Sequence, residues 1–222
     1  MKLYISKNIK AIVFDLDGTL INSSLTVLDI LNQIRRKYLN KKKINLKKIS
    51  KFLSIGGKIL IKKTLQIKKE KEIISYLKIF RHIYLSKKFN TQDIFPNVIN
   101  FLKRLKKKNI KIIICTNKNS KLVKKIVNES PFRKYVNFFV TSDMVNSYKP
   151  DKVFLDFIFK KTNISKDNLL YIGDSQIDLK LCNDCNINFL LFKNSINDIS
   201  KRDLIILKKK KIVFSSYKSL MI

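Results

Sequence analysis

A chain of 222 residues with 45% hydrophobic content is long enough to bury a core and too apolar to be disordered. Lys and Arg outnumber Asp and Glu by 48 to 16, a formal net charge of +32, so the molecule attracts anions and binds nucleic acid weakly in low salt. Lysine dominates arginine, Ile and Asn abound, Ala11 is the lone alanine and Trp is absent, which is the usage of an AT-biased coding sequence; most of the charge is therefore read as drift onto solvated faces, with no dedicated nucleic-acid partner.

The first apolar run, Ala11-Ile12-Val13-Phe14, reads as a short buried strand that Gly18-Thr19 brings to an end. Between them lie Asp15 and Asp17, two carboxylates on one side of the chain at the carboxyl edge of a sheet, where open α/β sheets bind ligands. Such a pair suits phosphoryl transfer, with one acid as nucleophile and the other handling protons. From Leu20 to Asp93 no convincing strand appears. Val27, Leu31, Ile34 and Tyr38 recur at helical spacing, as do Leu60, Thr64 and Ile67 and then Ile73, Leu77 and Phe80. This interval reads as a helical insertion, with Gly56-Gly57 in a loop, His82 near the return as a packing or hinge residue, and Phe95-Pro96 at re-entry.

Strands and helices then alternate. A helix over Val98–Lys108 precedes Asn109, and a helix around Asp178–Cys185 precedes Asn186; both asparagines are expected in the left-handed cap position that glycine usually fills. Strand runs fall at Ile9–Asp15, Lys111–Thr116, Asn137–Thr141, Leu169–Asp174, Asn188–Phe192 and Lys211–Phe214. The second strand ends in Thr116-Asn117-Lys118, whose hydroxyl and amide suit a phosphate oxygen. Lys149 precedes Pro150 and a helical pattern of Val153, Phe154, Phe157 and Ile158, which places the lysine just before a helix start. The fourth strand ends in Gly173-Asp174, with Asp178 one turn further on. Of the 4 glycines, Gly18 and Gly173 flank these acids, where backbone must take positive φ or approach closely.

In this order Asp15-x-Asp17-Gly18-Thr19, Thr116-Asn117, Lys149-Pro150 and Gly173-Asp174-x-x-x-Asp178 resemble the four motifs of the haloacid dehalogenase superfamily of phosphohydrolases, over nearly the whole chain. Thr116-Asn117-Lys118, Gly56-Gly57 and Gly173-Asp174-Ser175 look most like the phosphoglycolate phosphatase group. The acid at Asp17 separates the chain from the dehalogenases, which lack one there, and from transport ATPases, which carry threonine. Lys152 stands where a second proline is frequent, and Ser147-Tyr148 replace a basic pair.

The resemblance implies an α/β fold: a Rossmann-like three-layer core with a parallel sheet (residues 1–20 and 92–222) and a small all-helical cap inserted after the first strand (21–91). It implies Asp15 as nucleophile, Asp17 as acid and base, Lys149 as the neutralising cation, and Thr116, Asn117 and Lys149 as phosphate holders. Mg²⁺ would be held by Asp15, Asp174 and the backbone carbonyl of Asp17, with Asp178 in support. Gly56, Gly57 and Lys58 would face the site from the cap, with Lys58 or Lys51 as contacts to a substrate carboxylate. The expected activity is hydrolysis of a small phosphorylated metabolite, 2-phosphoglycolate first; a sugar phosphomutase, a pyrophosphatase or nucleotidase, and more distantly a nucleic-acid-binding protein stay open. Three cysteines, Cys115, Cys182 and Cys185, argue against a disulfide framework. Cys182-x-x-Cys185 lies within a helix and is read as packing. No targeting segment or membrane-length apolar run is evident, so a cytoplasmic monomer or homodimer is expected.

Overall fold

The computed structural model describes residues 2–195 and 198–222. The chain enters through a two-residue strand, β1 (Leu3–Tyr4), and runs into β2 (Ala11–Phe14), whose four side chains are all buried. Burial on both sides is what an uninterrupted apolar tetrapeptide demands of a central strand. Four helices follow: α1 (Ser24–Leu39), α2 (Leu46–Ile49), α3 (Gly57–Leu65) and α4 (Glu70–Ser86). Val27, Ile30, Leu31 and Ile34 of α1 and Ile73, Leu77, Phe80 and Tyr84 of α4 form the buried stripes that pack this group. Glu70 and Glu72 favour the start of α4 by meeting the positive end of its dipole.

The remainder alternates helix and strand: α5 (Val98–Lys107), β3 (Lys111–Thr116), α6 (Ser120–Glu129), β4 (Phe138–Thr141), α7 (Val153–Thr162), β5 (Leu169–Gly173), α8 (Gln176–Cys185), β6 (Asn188–Phe192), α9 (Lys201–Lys209), β7 (Val213–Phe214) and β8 (Leu220–Met221). Six strands form one parallel sheet in the order β4-β3-β2-β5-β6-β7. Alternation along β2 assigns its two faces: Ile12 and Phe14 join a core with the inserted helices, α5 and α6, while Ala11 and Val13 join a second core with α7 and α8. The sheet is thus covered on both faces, the three-layer α/β arrangement that the alternation predicts.

Asparagine takes the left-handed conformation at Asn40, Asn97, Asn109, Asn146, Asn163 and Asn186, with φ of 56° at both Asn109 and Asn186 as expected. Three features differ from expectation. β1 pairs in parallel with β8 in a separate two-stranded sheet, and runs of two residues are too short to show a period. Pro150 is not in the first turn of a helix; α7 begins only at Val153, so Lys149 reaches the site from a loop. His82 is an exposed residue of α4, which does not suit the packing half of its expected role.

Candidate active site

The carboxyl ends of the three central strands supply the floor of one cavity. β2 ends before Asp15, whose amide donates to the Ile172 carbonyl at 3.0 Å; β3 ends at Thr116, and β5 ends before Asp174. Asp15 keeps the parity of Ala11 and Val13, which turns it toward the face occupied by Tyr171 and Cys115. There the Lys149 ammonium donates to Asp15 Oδ1 at 2.8 Å and to Asp178 Oδ1 at 2.7 Å, and lies 3.1 Å from both the Cys115 carbonyl and the Tyr171 hydroxyl. Tyr171 donates to Asp178 Oδ1 at 2.8 Å. Asp178 is fully buried because it serves α8 as well: its other oxygen completes a capping box with Ser175.

Asp174 is fixed from the opposite side. Thr19 donates to its Oδ1 at 3.0 Å, and Asn194 donates to its Oδ2 at 3.0 Å and to the Gly18 carbonyl at 2.6 Å. Gly18 is required here: its φ is +88°, and a Cβ would overlap the Asp174 carboxylate. Gly173 is required by close approach alone, since a Cβ would stand 2.7 Å from that of Asp178.

One oxygen from each of Asp15, Asp174 and Asp178 can be chosen so that all lie within 4.8 Å of one another. Among the described residues, Lys149 pairs with two of these three buried carboxylates, Asp15 and Asp178. Burial pushes the Asp15 carboxyl up to about 7 against the pull of Lys149, and burial with the neighbouring Asp15 charge raises Asp174 well above the carboxylate range. Burial draws Lys149 down, but Asp15 and Asp178 more than offset it and keep it charged. This donor set, all oxygen and in excess of its counter-charge, fits a hard divalent cation such as Mg²⁺. Asp178 adjoins Asp15 and Asp174 here with both oxygens engaged by Lys149, Tyr171 and Ser175.

Asp17 lines the cavity apart from the cluster. Ser23 donates to its Oδ1, and the Lys118 ammonium lies 3.0 Å away, itself 3.4 Å from the Tyr84 hydroxyl and 4.5 Å from the centre of that ring. Nothing in the sequence marks Lys118 as a charged contact, because one lysine in so basic a chain carries no signal. Thr116 and Asn117 also line the cavity, but the Asn117 side chain is engaged at both ends. Its Oδ1 accepts from the Lys149 amide at 2.7 Å and its Nδ2 donates to the Ser54 carbonyl at 3.0 Å. Asn117 therefore ties the loop bearing Lys149 to the inserted helices.

Those helices roof the cavity with Ser50, Leu53, Ser54, Gly56, Gly57, Leu60, Leu77, Phe80 and Arg81. The Ser54 hydroxyl also donates to Asp198 at 2.8 Å. Gly56, at φ +117°, packs against the Tyr148 ring. Lys58 and Lys51 are absent from the lining; both are exposed, and Lys58 pairs with Glu70 at 2.9 Å. The expected cap-loop lysines thus point elsewhere, and Arg81, which no motif marks, takes a place on the wall.

An acid-rich cavity at the strand ends of a doubly covered parallel sheet, roofed by residues of the insertion after its central strand, stands where open α/β sheets bind ligands. The chain belongs to the haloacid dehalogenase-like hydrolase family, whose sequence model matches residues 12–192. Phosphoglycolate phosphatase 1 of Pseudomonas aeruginosa is 25% identical over 176 residues, 77% of this chain and 64% of that protein, so the match spans just under two thirds of this relative. The phosphoglycolate phosphatase of Aquifex aeolicus is 26% identical over 77% of this chain and 78% of its own. A Clostridium perfringens protein named as a pyrophosphatase is 28% identical over the same shares. Among solved structures, a Haemophilus somnus protein described as a predicted phosphoglycolate phosphatase superposes with a TM-score of 0.82 at 20% identity, covering 95% of this chain and 96% of its own. A β-phosphoglucomutase from Clostridium difficile superposes at 0.77 and 19% identity, covering 96% and 93%, so this fold is shared across differently named enzymes. Among the described residues no helix is long and apolar enough to cross a membrane.

Proposed function

We propose that this chain is a Mg²⁺-dependent phosphatase that hydrolyses a small phosphate monoester through an aspartyl-phosphate, with 2-phosphoglycolate as its substrate. The observation that carries this reading is Asp15 at the end of the central strand, held by Lys149 beside Asp174 and Asp178, with Asp17 in the same cavity. Lys149 binds Asp15 Oδ1, which leaves Oδ2 to form the bond to phosphorus as the ester oxygen departs. Asp17 gives that oxygen its proton, and then takes one from the water that attacks the aspartyl-phosphate and returns Asp15. Ser23 and Lys118 hold the Asp17 carboxylate in place for both transfers. Lys149 offsets negative charge on the phosphoryl oxygens throughout.

Mg²⁺ would be held by Asp15 and Asp174, with Asp178 adjoining and the Asp17 carbonyl as a further oxygen. When bound it offsets the repulsion between a carboxylate nucleophile and a phosphate dianion. The inserted helices (21–91 in our division of the chain) exclude water over the reacting centre and meet whatever lies beyond the phosphate. The relatives named phosphoglycolate phosphatases support this substrate.

Acid quenching during turnover of a phosphorus-labelled ester tests the mechanism. Wild type is expected to retain label that hydroxylamine releases, as an acyl-phosphate does, and Asp15→Asn to retain none while keeping its far-ultraviolet circular dichroism. Equal labelling of Asp15→Asn would remove Asp15 from the nucleophile's role.

A further inference from the structure

We infer that Arg81 reads a second anionic group on the substrate, so that the cavity selects phosphate esters carrying a carboxylate or further phosphate a few atoms from the transferred phosphoryl group. The inference rests on the reading of this cavity as a phosphoester site. Along α4, Leu77, Phe80, Arg81 and Tyr84 fall at i, i+3, i+4 and i+7 and share one face. Leu77 and Phe80 line the cavity as apolar wall, and Tyr84 is buried over Lys118. Arg81 is the charged member of the stripe, half-buried and on the same wall.

The other cations nearby are committed. Lys118 is 3.0 Å from Asp17, and Lys149 is bound to Asp15 and Asp178. Arg81 makes no ion pair or hydrogen bond with any described residue. A guanidinium set among apolar side chains loses water without gaining a partner, so an arriving anion gains more from it than from a solvated lysine. Its planar fork matches a carboxylate or phosphate through two parallel hydrogen bonds. The cavity therefore has two poles: acids and the cation they hold at the strand ends, and a free guanidinium on the roof. A substrate with negative charge at both ends spans them, whereas the ester of a neutral alcohol leaves Arg81 unsatisfied.

The test sets 2-phosphoglycolate against ethyl phosphate, which lacks the carboxylate, in wild type, Arg81→Ala and Arg81→Lys. Arg81→Ala is expected to lower kcat/KM for 2-phosphoglycolate by about 10- to 100-fold, mainly through KM, and to change ethyl phosphate by less than about 3-fold. Arg81→Lys keeps the charge without the fork and should fall between. Equal losses on both esters, or no loss on either, overturn the assignment and leave phosphatase activity standing. Titration of the same two ligands with Mg²⁺ into Asp15→Asn, with and without Arg81→Ala, reads selectivity without turnover. If wild type hydrolyses neither ester yet Arg81 still favours 2-phosphoglycolate in binding, the phosphatase reading falls and the assignment stands. Binding that ignores Arg81 sinks the assignment.

Discussion

At Gly18 the backbone turns through positive φ within touching distance of the Asp174 carboxylate, and the Gly18 carbonyl accepts from the same Asn194 that holds that acid. A methyl group at this point must displace Asp174 or strain the turn. Gly18→Ala is therefore expected to cost about 1–3 kcal/mol of stability and to weaken Mg²⁺ binding. Urea titration and Mg²⁺ calorimetry check this, and unchanged values for both would show that the turn has slack. Asp15, Asp17 and Asp174 could be singled out in the sequence because each ends a strand run or stands at fixed spacing from one, and Lys149 because it precedes Pro150 and a helical pattern. The bond from Lys149 to Asp178 was not, since the two lie 29 residues apart and only the fold brings them together. The residue type of Asn117 suggests a phosphate holder, and the structure adds bonds no motif shows: its Oδ1 accepts from the Lys149 amide and one Nδ2 hydrogen goes to the Ser54 carbonyl. Arg81 gave no signal, because a periodic helix predicts which face is buried and not what the face will meet.

Among elements, the inserted helices make buried polar contacts in addition to packing their apolar stripes. Arg35 is buried in α1, where Nε donates to the Lys42 carbonyl at 2.8 Å and Nη1 to the Thr64 carbonyl at 2.7 Å. Thr64 lies in the last turn of α3, so the guanidinium satisfies a terminal carbonyl and places positive charge at the negative end of that helix. Lys41 does the same for the Leu65 carbonyl at 2.8 Å. Arg35→Met keeps the bulk and orphans both carbonyls, with an expected loss of about 1.5–3 kcal/mol. Hydrogen exchange should show that loss in α1 and α3 before β2 and β5; uniform or absent change would contradict it. The sequence period located α1, α3 and α4 but could not show a buried arginine, because the period registers the spacing of apolar residues alone. Helix ends were more legible: Asn109 and Asn186 take the left-handed conformation that their places after helices suggested. The pairing of β1 with β8 joins segments from opposite ends of the chain, and no local pattern encodes it.

Taken whole, the molecule sets a group of buried acids at its centre inside a strongly basic exterior. Exposed lysines stand on the inserted helices at Lys47, Lys48, Lys62 and Lys63 and on the core at Lys106, Lys107, Lys160 and Lys208. Charge spread over so many elements raises the local concentration of small anions and screens away in salt, as expected of drift on solvated faces. The three buried acids lie where the central strands end. The inserted helices touch the core through hydrogen bonds of Asn117 to Ser54, Ser54 to Asp198 and Lys118 to Tyr84. The alternation of strands and helices made the layered core legible in advance. These contacts were not, because they depend on how the inserted helices settle on the core.

The measurement that bears most directly on the central claim is release of inorganic phosphate from 2-phosphoglycolate, followed with Mg²⁺, after removal of Mg²⁺ by a chelator, and in Asp15→Asn. The account predicts release that requires Mg²⁺ and disappears in Asp15→Asn. Release that persists in the folded Asp15→Asn protein, or none from the Mg²⁺-loaded wild type, would contradict it.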